Sequence, residues 1–515
     1  MKRTPLYVLL LMSLTACADT AAPARTLAPE AVDAAAGTIT ADDYFQRLSV
    51  IAHDSMMGRD TPSPGLDATA DWIAAEFESM GIAPAGEDGT YFQRYAITSV
   101  RPDFGGSSAE LDGTELSFGS DMSFPSGAVE GDLEGEVVVV SGSGTPDEQQ
   151  LAEVEGKHVL IIASADGGGG GRRGRGTGFR TVRSFQSSGA LSVVQASASD
   201  EAAWESDVRR QSATVSVRFG TSTRAPRVNI RDATLRPILS AYGLDLDAMR
   251  AATDGLTART VPGLRLSLTL RTEVIQEQTA PNVVGMVEGR DPELRDEFVI
   301  FSAHMDHIGT GTPDASGDSI FNGADDDASG TVTVVELAEA FASMDPPPRR
   351  SMIFLLVSGE EKGLWGSRYY ADNPTVPMDQ IVANLNADMV GRNWPDSIVV
   401  IGKEHSDLGA TMDGVNVKHP ELGMVAMDDI WPEQNFYGRS DHYNFARKGV
   451  PILFFFNGTH DDYHGRDDEV DRIDTEKASR IGKLMFYLGV EVAERTARPE
   501  WDSESYREIV EGVGR

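Results

Sequence analysis

The stretch Phe298-Val299-Ile300-Phe301-Ser302-Ala303-His304-Met305-Asp306 decides how this chain folds. Residues 298–303 are apolar or small, as in a strand covered on both faces, and polar residues begin where the strand ends. The pattern repeats downstream. Strands are expected at 352–357, 381–386, 398–401 and 452–456, and helices at 329–344 and 364–371. Strands alternating with helices imply an α/β domain around a mainly parallel sheet. In an open parallel sheet the C-terminal strand ends share one edge, where sites form.

The residues at that edge are consistent in kind. His304 and Asp306 follow the first strand. Asn322-Gly323-Ala324-Asp325-Asp326-Asp327-Ala328-Ser329-Gly330 precedes the helix at 329. Ser358-Gly359-Glu360-Glu361 follows the second strand and Asp388 the third. His460 and Tyr463-His464 follow the strand at 452–456. One such segment alone would be a helix cap or a solvated pair. Five together, with His304, His307, His442, His460 and His464 among nine histidines, point to a metal centre. Imidazole and carboxylate without thiol suit zinc or another divalent first-row ion. Two histidines and three carboxylates exceed one tetrahedral site and suit two ions sharing a bridging carboxylate. The aspartate triplet lacks the alternating spacing of a calcium loop.

Composition narrows the class. The 515 residues are 40% hydrophobic and 24% charged, which excludes a disordered chain or a multi-span membrane protein. Lys plus Arg number 45 and Asp plus Glu 80, a net charge of −35 that disfavours nucleic acid as a partner. A single cysteine excludes an internal disulfide and a four-thiolate zinc site.

That cysteine is Cys17, after Met1-Lys2-Arg3 and an apolar stretch from Leu6 to Leu14. The run is too short to span a bilayer and reads as a secretory signal over residues 1–17. Leu14-Thr15-Ala16-Cys17 resembles a bacterial lipobox, which implies an exported, periplasmic or cell-envelope lipoprotein whose only membrane contact is a lipid on Cys17. Residues 18–38 are expected to be a flexible tether.

Helical spacing recurs from 41 to 80, with Leu66, Ala70, Ile73 and Phe77 on one face. Between 130 and 225 short β-branched runs dominate, and low helical content is expected. A glycine run at 167–171 leads into Arg172, Arg173 and Arg175; no Gly-Lys-Ser/Thr follows, so it is not a phosphate loop. A β-rich domain inserted at 121–262 would split the main domain into 39–120 and 263–515.

The motifs His304-x-Asp306, Asn322 to Gly330, Gly359-Glu360-Glu361-x-Gly363, Asn386-x-Asp388, Ser440-Asp441-His442 and Tyr463-His464 resemble those of the M28 zinc peptidases. That family includes leucyl aminopeptidases and glutamate carboxypeptidase-like enzymes. The resemblance implies a zinc-exopeptidase fold, with a mixed, mainly parallel central sheet flanked by helices. Through Gly156-Lys157-x-Val159-Leu160-Ile161 it implies that the insert is a protease-associated domain. It also implies two Zn2+, with Co2+ or Mn2+ as substitutes. His304 and Asp388 would hold one ion, Glu361 and His464 the other, and Asp326 would bridge them. Asp306 would orient His304, Glu360 would be the general base, and Tyr437 would stabilise the oxyanion.

The implied activity is aminopeptidase hydrolysis of peptide substrates, with Asp428, Asp429 and Glu433 as candidate anchors for the substrate amine. A carboxypeptidase using Arg392 or Arg439 is the alternative, and a receptor-like scaffold without catalysis is a second. The intact ligand set speaks against the scaffold and against the one-zinc glutaminyl cyclases.

Overall fold

The computed structural model describes residues 27–124, 129–163, 177–220, 225–252 and 255–512. The signal segment 1–17, the glycine run 167–171 and Arg172, Arg173 and Arg175 lie outside the described residues. The chain divides into two compact units. One comprises residues up to Gln93 with Pro281–Arg515, and the other Arg94–Ala280.

The first unit is built on the expected sheet. Its strands run in the order Val425–Met427, Ser397–Ile401, Ile452–Phe456, Ile381–Ala387, Phe298–His304, Ser351–Val357, then the end of Thr272–Val287. The strands Ser351–Val357, Phe298–His304, Ile381–Ala387 and Ile452–Phe456 are mutually parallel. Two antiparallel pairings flank them and make the sheet mixed. The first three of these parallel strands are buried along their whole length, as continuous apolar runs require. Helix Gly330–Ala342 is buried on nearly all sides, and helix Thr475–Glu494 buries a broad apolar face. Leu66, Ala70, Ile73 and Phe77 all face inward from helix Pro64–Ser79.

Part of the segment expected to be a tether is helical. Pro29–Ala36 is a helix with Ala35 and Ala36 buried, and Asp33 accepts a hydrogen bond from the Tyr487 hydroxyl at 3.0 Å. Proline at a helix start followed by alanines is a helix signal that outweighs the linker-like composition.

The second unit is wider than 121–262, because Ser108–Leu111 and Thr114–Leu116 pair into its sheet and Thr257–Leu270 is one of its long strands. The four strands Gly131–Gly142, His158–Ala163, Ser192–Ser197 and Arg227–Arg231 are parallel. Low helical content is not observed. Helices Glu148–Glu153, Thr177–Gln186, Glu201–Ala213, Asp232–Ala241 and Leu246–Ala251 alternate with the strands, so this unit is α/β as well. Glu201–Ala213 buries only Trp204. A helix with one inward residue leaves no 3.6-residue apolar rhythm to read.

His158 begins the second of those parallel strands, buried, with Nδ1 2.7 Å from Ser192 Oγ. Burial lowers its pKa to about 4. An unfolded chain takes up this proton near pH 6.5, whereas the folded unit resists it down to about 4. Stability is therefore lost as pH falls through that window, by about 3 kcal/mol when the loss is complete. Hydrogen exchange of peptides from His158–Ala163, corrected for intrinsic rates, should accelerate between pH 6.5 and 4. The His158→Gln protein should lose most of that dependence.

Candidate active site

Four parallel strand ends and one helix start converge at the C-terminal edge of the main sheet. The three consecutive aspartates before helix Gly330–Ala342 divide the work. Asp327 accepts hydrogen bonds from the N–H groups of Gly330 at 2.8 Å, Met389 at 3.1 Å and His304 at 3.1 Å, tying the helix to two strand ends. Asp325 accepts from Gly391 N–H at 2.7 Å. The carboxylate of Asp468 accepts from the N–H groups of Asp325 and Asp326. A Cβ on Gly330 would lie 2.3 Å from the Ala387 carbonyl oxygen, so only glycine lets the helix start this close to the strand. Asp325 Oδ2 lies 3.3 Å from His460 Nε2 and Asp327 Oδ2 4.0 Å from His304 Nε2, whereas Asp326 is the one of the three that lies near both His304 and His464.

Its two oxygens face different ways. Oδ1 lies 3.4 Å from His304 Nε2, and Oδ2 lies 3.2 Å from His464 Nε2. His304 Nε2 is also 3.7 Å from Asp388, and His464 Nε2 is 3.2 Å from Glu361. The five expected ligands thus gather in two groups that share Asp326. His464 adopts the left-handed region (φ 55°), as does Met389 beside Asp388 (φ 55°), an uncommon backbone state for these residues that clusters at functional sites. Ser440 Oγ donates to Asp388 at 2.9 Å and fixes its rotamer.

The charges are strongly coupled. Burial opposes ionisation of Asp326, yet His304 and His464 hold it well below the usual carboxylate range. Glu361 is likewise buried but is held down to about 2 by His307 and His464. Burial opposes a charge on His304, but Asp327 and its neighbours raise it well above the usual value; Asp326 and Glu361 lift His464 to about 10. Burial pushes Glu360 well up, Asp441 to about 7 and Asp468 to about 6. Carboxylates this crowded favour cations. Imidazole nitrogens and carboxylate oxygens within 4.8 Å of one another form two groups, His304–Asp326–Asp388 and His307–Asp326–Glu361. Glu361 Oε1 and both ring nitrogens of His307 are buried without a hydrogen-bond partner. This donor set fits divalent first-row ions.

Other expected residues divide. Glu360 lines the cleft with His304, Asp326 and Asp388. Asp306 does not bond His304 through its carboxylate, which is 3.7 Å from Nδ1; its main-chain oxygen is closer, at 3.1 Å. The carboxylate instead accepts from Thr61 Oγ1 at 3.0 Å and from Glu360 N–H at 3.2 Å, so it positions the Glu360 segment. Tyr437 is not in the cleft lining. Its ring packs on His405, His442 and Tyr443, and its hydroxyl is buried without a partner. The tyrosine in the lining is Tyr463, stacked on His464 with ring centroids 3.9 Å apart. Its pairing with His464 was the available signal. Asp428 is paired with Lys403, Asp429 caps Trp431, and Glu433 is exposed; none lines the cleft. Arg392 is paired with Asp462 at 2.8 Å. Arg439 lines the cleft beside Phe436, Phe454 and Phe456, its guanidinium 4.5 Å over the Phe436 ring.

Sequence reasoning also missed Arg59, which is fully buried. Its guanidinium donates to the carbonyls of Met305, Ile51, Asn322 and Gly323. Burial lowers its pKa to about 10, still charged at neutral pH, and Asp306, Asp326, Asp327 and Asp468 lie in its field. Arg59→Met would strand four carbonyls and leave buried carboxylates uncompensated. The expected cost is about 3–5 kcal/mol, read from the urea midpoint of the full chain. Unchanged stability would refute this role.

Residues 282–489 match the family model described as Peptidase family M28. Aminopeptidase YwaD of Bacillus subtilis (strain 168) is 26% identical over 243 residues, covering 45% of this chain and 49% of that protein. A probable zinc metalloprotease of Pyrenophora tritici-repentis is 34% identical over 250 residues, covering 43% of this chain and 50% of that protein. The chain thus spans about half the length of the curated relatives it matches. The solved aminopeptidase from Aneurinibacillus sp. strain AM-1 superposes with a TM-score of 0.52 over 91% of this chain and 97% of its own, at 17% identity, a likeness of fold. Over residues 282–489 the chain is thus similar to peptidase family M28.

Proposed function

We propose that this protein is a dinuclear zinc aminopeptidase that removes N-terminal residues from peptides. The observation that carries this reading is Asp326, whose two oxygens face His304 and His464 on opposite sides. Each of these histidines has its own second carboxylate, Asp388 or Glu361. His304, Asp388 and Asp326 would hold one ion, and His464, Glu361 and Asp326 the other. Ions bound there would supply Lewis acidity, lowering the pKa of a bound water and polarising the scissile carbonyl.

The protein's own groups do the rest. Glu360, with its proton affinity raised by burial, accepts the water's proton and delivers it to the leaving amine. Asp306 and Thr61 hold the Glu360 segment in place. Tyr463 donates a hydrogen bond to the carbonyl oxygen as negative charge grows there. Met389, Phe436, Phe454 and Phe456 line the same cleft and suit an apolar side chain at the cleaved residue.

One observation supports a second reading, a carboxypeptidase. Arg439 lines the cleft, and among the described residues its guanidinium makes no ion pair. It would take a terminal carboxylate. The unit Arg94–Ala280 is read as a protease-associated insert, and the leader as that of an exported lipoprotein modified on Cys17. Mass spectrometry of the native N-terminus tests the latter.

Glu360→Gln should keep its metal by elemental analysis and lose about 10^2–10^4 in kcat. Glu361→Ala should lose metal. Equal metal loss in both would void these roles. On a panel of aminoacyl chromogenic substrates and N-blocked peptides, only substrates with a free amine should be cleaved. Cleavage of blocked peptides from the carboxyl end would establish the second reading.

A further inference from the structure

His307 follows the His304-Met305-Asp306 motif and is not among the five ligands of the dinuclear reading above. Its side chain is fully buried. Nδ1 lies 3.0 Å from Glu361 Oε1 and 3.8 Å from Asp326 Oδ2. Despite that approach, His307 Nδ1, His307 Nε2 and Glu361 Oε1 all lack a hydrogen-bond partner. Two buried polar atoms 3.0 Å apart would ordinarily share a proton, because leaving both unsatisfied is costly. Atoms that approach without aligning are instead the arrangement of two donors aimed at a common third centre. Donors about 2.0–2.1 Å from one zinc, at 90–110° to each other, stand about 3.0–3.4 Å apart. The His307–Glu361 and His464–Glu361 separations of 3.0 and 3.2 Å both meet that spacing.

The surroundings keep the ring there. Gly323 is left-handed (φ +53°), and a Cβ on it would fall 2.5 Å from His307 Cγ. The His464 ring stands edge-on to His307, with centroids 5.6 Å apart at 72°.

We propose that His307 is an additional ligand of the ion on the Glu361 side; this rests on the dinuclear reading above. That ion would have four protein donors, His307, His464, Glu361 and Asp326, and a closed shell. The other would have three, His304, Asp388 and Asp326, and an open position. Closed tetrahedral shells retain metal, and open ones carry chemistry. The centre would therefore be asymmetric, with the ion on the Glu361 side held more tightly than the other.

Two measurements on the full-length protein test this without reading activity. X-ray absorption of the zinc-loaded wild type should count three imidazoles shared between two ions, and a count of two overturns the proposal. In chelator competition, wild type should release its ions in two separated steps. In His307→Asn and His307→Gln, with circular dichroism as the check on folding, the tighter step should weaken by at least about 10-fold to 100-fold. The cobalt-loaded variants should show an altered visible d–d spectrum. Unchanged release and an unchanged cobalt spectrum in both variants would overturn the ligand role. If wild type fails to bind two equivalents at all, the dinuclear reading itself fails, which is a separate outcome.

Discussion

Burying carboxylates in excess at one sheet edge is the constraint around which the first unit is arranged. Asp306, Asp325, Asp326, Asp327, Asp388, Asp441 and Asp468 are all buried there. Unpaired, such charges are costly to desolvate, so each needs a donor or a cation nearby. The fold supplies three kinds of compensation. Backbone N–H groups of Gly330, Met389 and His304 bond Asp327 and that of Gly391 bonds one oxygen of Asp325, whose other oxygen lies 3.3 Å from His460 Nε2. Arg59 places a fixed positive charge behind them. Imidazoles of His304, His307 and His464 face what remains, Asp326 and Glu361. Only this last layer is exchangeable for metal ions.

How much of this is legible in the sequence depends on how directly a residue is tied to a strand end. His304, Glu360, Glu361 and Asp388 each follow a buried apolar run, and once the runs are read as parallel strands their common edge follows. Asp326 is singled out within its triplet only through the resemblance to the M28 motifs, because the bonds by which Asp325 and Asp327 brace the segment appear only in the structure. Tyr437 shows where the method stops. It lies among short turns and 3-10 segments between Pro432 and Gly438, with no period to say which way a ring points. Arg59 and Asp468 are invisible for another reason: they act on the site from behind, through contacts more than a hundred residues away in sequence.

The second unit was misread in composition for a related physical reason. Its strands carry short apolar runs and announce themselves, but helix Glu201–Ala213 buries only Trp204 and carries several charged residues, so hydrophobic periodicity reports little there. Two apolar clusters, one containing Leu235, Leu239 and Leu246 and the other Val154, Val182 and Phe185, give it a core of its own.

The adjacent pair Glu360 and Glu361 shows how one turn makes two carboxylates differ. Both follow the same strand, yet Glu361 lies beside His307 and His464, whose nearness favours its ionised form. Glu360 gets some help from the charge on His304, but burial and the fields of Asp441, Asp388 and Glu361 outweigh it and favour the protonated form. A ligand must be ionised at working pH, whereas a proton carrier must be able to hold a proton and give it up. Tyr463 sees the same field from its own side: burial first, then Asp326, Glu361, Asp388 and Glu360, raise its phenol far above the ordinary value. A phenol in that field keeps its proton and can only donate it in a hydrogen bond. Burial raises the Tyr437 phenol in the same direction, so what distinguishes Tyr463 from Tyr437 is its place in the cleft lining and not its charge state.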